Sequence, residues 1–164
     1  MNDISAGFEV LPLTDERREW ARTLIRERWG SVIVVTRGKV HNTSRLPGFV
    51  AVLGGDEVGL ATYAAAEGEC EIVSLDSLRG GLGIGTALVR AVERVARASG
   101  SKRLWLITTN DNVHAVRFYQ KRGFRIAAIH LGALEESRRL KPEIPLKGMD
   151  GIPLIDEIEL ELML

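Results

Sequence analysis

The stretch from Leu75 to Gly100 limits the fold more than any other. A short apolar run reaches four glycines, Gly80, Gly81, Gly83 and Gly85, and these open directly into a helical pattern. There Ile84, Leu88, Ala91, Val92 and Val95 recur on one face, and Arg90, Glu93, Arg94 and Arg97 fall elsewhere. Gly100 closes the helix. No Ser, Thr, Asp or Asn precedes Ile84 as an N-cap, so the first N–H groups of the helix lack an obvious side-chain partner. The glycines would let a ligand approach the backbone closely. Free amides at the positive end of a helix suit an anion, most naturally phosphate. A plain strand-to-helix turn needing positive φ explains the glycines equally well at this point.

Two nucleotide motifs fail on the residues. A P-loop needs Lys and then Ser or Thr after its last glycine, but Gly85 is followed by Thr86 and Ala87. The dinucleotide fingerprint read from Gly83 meets Leu88 where its last glycine is required, and the acidic residue about 20 positions on is missing.

At 164 residues the chain supports one domain, 1–164, with a real core. A 45% hydrophobic and 27% charged composition is that of a soluble globular protein. Twenty-two basic residues balance 22 acidic ones, so no global field favours nucleic acid or a membrane surface. The single Cys70 excludes an internal disulfide, and three scattered histidines form no metal-ligand pattern. Without a signal peptide or a long apolar span, the cytoplasm is the expected compartment.

Along the chain, Phe8–Leu13 reads as an edge strand, and Thr14 as the cap of a helix reaching Trp29 and stopped by Gly30. Ser31–Thr36 is β-rich; Gly38–Pro47 is polar and reads as an exposed loop. Phe49–Leu53 and Glu57–Ala65 form a hairpin about Gly54-Gly55-Asp56. In the next strand, Glu69–Leu75, alternation puts Glu69, Glu71, Val73 and Leu75 on one face, with Cys70, Ile72 and Ser74 on the other. Arg103–Thr108 is a buried strand that completes a parallel β-α-β unit with the glycine-led helix. Asn110-Asp111-Asn112 caps a helix from Val113 to about Arg122; strands follow at Phe124–Ile129 and Ile155–Leu162, separated by a long Pro-containing segment. The order predicts a single-domain mixed α/β fold.

Gly83-Ile84-Gly85, with apolar Leu75 on the strand before it, resembles motif A of the GNAT acetyltransferase superfamily, written Q/R-x-x-G-x-G/A. The Q/R position falls on Gly80, with Arg79 one residue early. Asn112-x-x-Ala115-x-x-Phe118-Tyr119-x-x-x-Gly123-Phe124 resembles the segment after the fifth strand of the same superfamily, in family order about 25 residues on. Asn112, Ala115 and Tyr119 recur at one helical turn and share a face.

The resemblance implies a GNAT-like fold: a mixed, mostly antiparallel sheet of six to seven strands flanked by helices around the parallel unit. It implies acetyl-CoA as co-substrate, its pyrophosphate on the loop amides and its pantetheine arm near Leu75 and Asn112. The implied cofactor-binding set is Leu75, Asp76, Arg79, Gly80, Gly81, Gly83, Ile84, Gly85, Thr86, Asn112, Ala115, Phe118 and Tyr119. The implied activity is acetyl transfer to a primary amine, with Tyr119 as general acid, the Leu75 amide as oxyanion donor and Glu71 as base. Glu69 on the same face would raise the pKa of Glu71. His41, His114 or two merely solvated carboxylates are the alternatives at that position. A small-molecule amine is the first expectation for the acceptor. A protein or peptide amine, or a non-catalytic acyl-CoA-binding module, stays open, and family habit allows a homodimer.

Overall fold

A computed structural model describes residues 7–164; residues 1–6, counted in the 1–164 domain, lie outside it. Among the described residues, nine strands and four helices follow one another as β1 (Phe8–Pro12), α1 (Arg18–Trp29), β2 (Ile33–Thr36), β3 (Lys39–Asn42), β4 (Gly48–Leu53), β5 (Asp56–Ala66), β6 (Glu69–Ser77), α2 (Ile84–Ala98), β7 (Arg103–Thr109), α3 (Val113–Gln120), β8 (Arg125–His130), α4 (Ala133–Leu140) and β9 (Glu157–Met163). Seven strands form one sheet in the order β1-β4-β5-β6-β7-β9-β8, with only β6 and β7 parallel. Strands β2 and β3 make a separate hairpin.

Each sheet face buries its own helix. Ile84, Leu88, Val92 and Ala96 of α2 pack on Phe8, Ala51, Ala61, Cys70, Ile72, Leu104 and Leu160. On the other face Ala21, Leu24 and Ile25 of α1 pack on Leu13, Val50 and Leu60. Helix α2 lies so close to β5 that a Cβ on Gly59 would stand 2.6 Å from Ile84 Cγ2, so a glycine is needed there.

Four local expectations are corrected. Thr14 makes no side-chain cap bond: a 3-10 turn at Asp15–Arg17 leads into α1, and Gly30 closes it at φ 83°. Gly38–Pro47 is not an exposed loop. Arg37 and Gly38, both at positive φ, turn the chain into β3, and a 3-10 turn at Thr43–Arg45 follows, with His41 and Thr43 buried. The Pro-containing segment holds α4, which stops just short of Pro142.

The fourth correction concerns β6. Thr62 pairs with Ser74 and Tyr63 with Ile72, which leaves Val73 as an extra residue. Such a bulge shifts the alternation by one. Leu75, paired with Ala61, therefore joins the α2-side core instead of following Glu71, and Asp76, paired with Leu60, faces α1.

Candidate active site

The bulge sits where the sheet opens. β6 and β7 pair only at Glu69↔Arg103, Cys70↔Leu104 and Glu71↔Trp105. Beyond that point β7 stays with β9 as far as Thr109↔Glu157, while β6 continues to Ser77 beside β5. A cleft of about 90 Å³ opens between Ile72–Leu75 and Leu106–Thr108, and Trp29, Asn112, Ala115 and Tyr119 complete its walls. Strand edges without ladder partners can take an extended ligand that carries amides of its own.

A groove that shares Leu75, Ala115 and Tyr119 with the cleft runs past Ser77 and Gly85 at the glycine loop. Gly81 and Gly83 have φ of 76° and 80°, and Gly83 is the N-cap of α2 without a side-chain cap bond. A Cβ on Gly80, Gly81 or Gly83 would meet nothing within 4 Å, so the approach to the first amides of α2 is open. Arg79 is exposed beside them, its carbonyl accepting from Ser77 Oγ at 3.2 Å. Ile84 is a core residue. Gly85 is needed for a different reason: a Cβ there would lie 3.1 Å from Phe118 Cζ.

Arg122, which sequence reasoning did not single out, ties the two motifs together. Its Nε and Nη2 donate to Thr86 Oγ1 at 2.8 and 2.6 Å, and its Nη1 donates to the Phe118 carbonyl at 2.6 Å. The guanidinium stacks 3.5 Å from the Phe118 ring centroid. The signal available in sequence was its i+4 spacing from Phe118.

On α3, Asn112 Oδ1 accepts the Ala115 N–H at 3.0 Å, so this side chain is both the helix cap and a wall of the cleft. Tyr119 is buried, edge-on to Phe118 and Phe124 at 5.0 and 5.2 Å. It also lines a groove beside the cleft, with Leu75, Ser77, Gly85, His114, Ala115 and Phe118. Burial pushes its phenol well above the ordinary value, Asp76 adds to the rise, and Arg122 opposes it. Asp76 accepts the Trp29 indole N–H at 2.9 Å. Burial raises its carboxyl as well, with the indole bond and Arg28 acting the other way.

On the other side of the opening lies a chamber of about 180 Å³. Trp29, Val73 and Ile107 border both spaces. Val34, Val35 and Thr36 of the hairpin, Thr109 of β7, Leu134 of α4, Lys141, Glu143, Ile144, Pro145 and Glu157 complete the chamber. Lys141 Nζ donates to the Trp29 carbonyl at 2.7 Å.

The two β6 carboxylates do not act as a pair. Glu69 goes to Arg103, Nε to Oε1 3.0 Å. Glu71 is sealed behind the hairpin, where it accepts from Thr36 Oγ1 at 2.6 Å and lies 3.2 Å from His41 Nε2. It borders neither the cleft nor the chamber, whereas Thr36 borders the chamber. His114 is exposed on the groove.

The model of the acetyltransferase (GNAT) family matches residues 8–124. The chain is 40% identical over 153 residues to the uncharacterized protein YxbD of Bacillus subtilis (strain 168), across 92% of this chain and 96% of that one. Among solved structures it is similar to an IAA acetyltransferase from Bacillus cereus ATCC 14579, with a TM-score of 0.73, 24% identity, and coverage of 96% and 99% of the two chains. It is similar also to a GNAT family acetyltransferase from Elizabethkingia anophelis solved with acetyl-CoA bound, with a TM-score of 0.71, 19% identity, and coverage of 98% and 100%.

Proposed function

The chain belongs to the acetyltransferase (GNAT) family, and from that premise we propose that it transfers an acetyl group from acetyl-CoA to the primary amine of a small molecule. The observation that carries the proposal is the opening between β6 and β7, which lies between the groove that Gly85 lines and the chamber.

The residues fit acetyl-CoA, which supplies an acetyl group activated as a thioester. The open amides of Gly81, Gly83, Ile84 and Gly85 suit the pyrophosphate, with Arg79, Gly80 and Thr86 beside them. The unpaired edge at Leu75 and Asp76, with Asn112 and Ala115 opposite, suits an extended amide-bearing arm. Phe118, braced by Arg122, forms the wall of the groove beside it.

Tyr119 stands where this arm would end, and its raised pKa keeps the proton that a general acid must hold. In transfer, the amine nitrogen bonds to the acetyl carbon and the carbon–sulfur bond breaks; Tyr119 gives its proton to the departing sulfur. The Leu75 N–H is the donor for the carbonyl oxygen. Thr36 takes the amine's proton and passes its own to Glu71, against which it already lies. A chamber roofed by the hairpin and α4, with walls mostly of apolar side chains, supports a small amine over a polypeptide.

The test is a thermal shift with acetyl-CoA, ATP and NADH at equal concentration, followed by an amine screen for acetyl transfer. A shift with acetyl-CoA alone, of several degrees at about 100 times Kd, supports the donor site. A shift with another nucleotide and none with acetyl-CoA overturns it.

A further inference from the structure

Lys141, the residue after α4, lines the chamber with only 7% of its surface exposed. Its Nζ makes one hydrogen bond, to the neutral carbonyl of Trp29. An ammonium has three N–H groups, so two are left for a partner. Glu143, exposed at the chamber wall, favours the charged form without closing an ion pair, while burial pulls the ammonium below the usual lysine value. A buried cation with one neutral acceptor is costly to the fold, and a ligand anion in the chamber would complete it.

The remaining walls sharpen the match. Lys141 is the one basic residue among the described residues that line the chamber. Glu157, 1% exposed, brings a carboxylate to the same space. Its Oε1 accepts from Ser137 Oγ at 2.9 Å and its Oε2 from the Arg37 N–H at 3.0 Å, and no cation among the described residues pairs with it. Apart from Thr36, Thr109 and Glu143, the rest is mostly apolar, chiefly Val34, Val35, Val73 and Ile107. One buried ammonium and one buried carboxylate, not paired with each other, complement a molecule that carries both charges. A lone ammonium without an arginine fork suits a monoanion better than a phosphate.

We propose that the acceptor is a small apolar amine that also carries a carboxylate, and that Lys141 reads this carboxylate inside the chamber. The amine half rests on the acetyl-transfer proposal; the carboxylate half does not.

Two comparisons on the full chain separate them. The first measures binding of isocaproate and its neutral isostere 4-methylpentanamide to wild type and to Lys141→Gln, a variant that keeps a donor for Trp29 and removes the charge. Wild type is expected to bind the carboxylate at least about tenfold tighter than the amide, the size of a charged hydrogen bond, and Lys141→Gln to bring the two within about twofold. Equal binding of the pair by wild type, no detectable isocaproate binding, or an unchanged preference in Lys141→Gln overturns the inference. The second compares kcat/KM for leucine and isoamylamine, with the same tenfold preference expected. Carboxylate-selective binding with neither amine acetylated upholds the role of Lys141 and sinks the acetyl-transfer proposal. Equal acetylation of both amines does the reverse.

Discussion

Trp29 and Asp76, 47 residues apart, meet through a 2.9 Å hydrogen bond that pins the last turn of α1 to β6 just before the glycine loop. Trp29 also borders the cleft and the chamber and gives its carbonyl to Lys141. One residue thus links the cleft, the chamber and the loop entry.

This pair has a pH signature. Burial raises the Asp76 carboxyl above its unfolded value of about 3.9. Between the unfolded and folded values the native state binds more protons, so stability falls as pH rises through that window. Asp76→Asn, which can still accept the indole N–H, should melt higher than wild type at neutral pH and converge with it as pH falls to about 4. A melting difference that stays the same across the titration would dissociate the effect from Asp76 ionisation.

Tyr119→Phe keeps the ring contacts with Phe118 and Phe124 and loses only the hydroxyl. Acetyl-CoA should shift the melting temperature of the variant as it does that of wild type, while turnover drops at least about tenfold. Because the phenol is raised, wild-type activity should not decline through phenol ionisation near the ordinary tyrosine value of about 10. Wild-type turnover in the variant would remove Tyr119 from the chemistry.

The glycines divide by cause. Gly85→Ala drives a Cβ to 3.1 Å from Cζ of Phe118, whose ring carries the stacked Arg122, and should cost about 1–3 kcal/mol in chemical denaturation. Gly80→Ala meets open space at a backbone that needs no positive φ, so stability should hold within about 0.5 kcal/mol. Any loss of acetyl-CoA affinity in Gly80→Ala then reports the approach of the ligand rather than a disturbed fold.

Thr36→Val takes one donor from buried Glu71 and leaves His41 as its partner. The cost should be about 1–3 kcal/mol of stability. If Thr36 relays the amine proton to Glu71, both Thr36→Val and Glu71→Gln lower kcat and flatten its rise with pH, with little change in acetyl-CoA binding. A stability loss with an unchanged pH–rate profile would mark the cluster as structural and place the base elsewhere.

Much of the frame was legible along the chain. The 3.6-residue period of α2, the continuous apolar run of β7 and the glycine hairpin between β4 and β5 are properties of neighbouring residues, and they appear where the pattern put them. Gly38–Pro47 reads as exposed along the chain because the partners that bury His41 lie elsewhere: Thr36 on the neighbouring strand and Glu71 on β6. α4 was missed because its eight residues carry only Leu134 and Ser137 as a buried face. Arg122 shows along the chain only its i+4 spacing from Phe118, and basic residues near a helix end usually serve the dipole; nothing local reports that Thr86, 36 residues away, meets it.

By itself the sequence determined the strand, loop and helix around the glycines, the helix that carries Asn112 and Tyr119, and through them the family. Propensity, period and capping act over a few residues and can be read in order. The tertiary structure decided the bulge at Val73 that turns Leu75 to the α2 side, the sealing of Glu71 behind the hairpin and the placing of Lys141 on Trp29. These depend on strand register and on side chains 35 to 112 residues apart competing for the same buried space, and register and burial arise only once the chain has closed on itself.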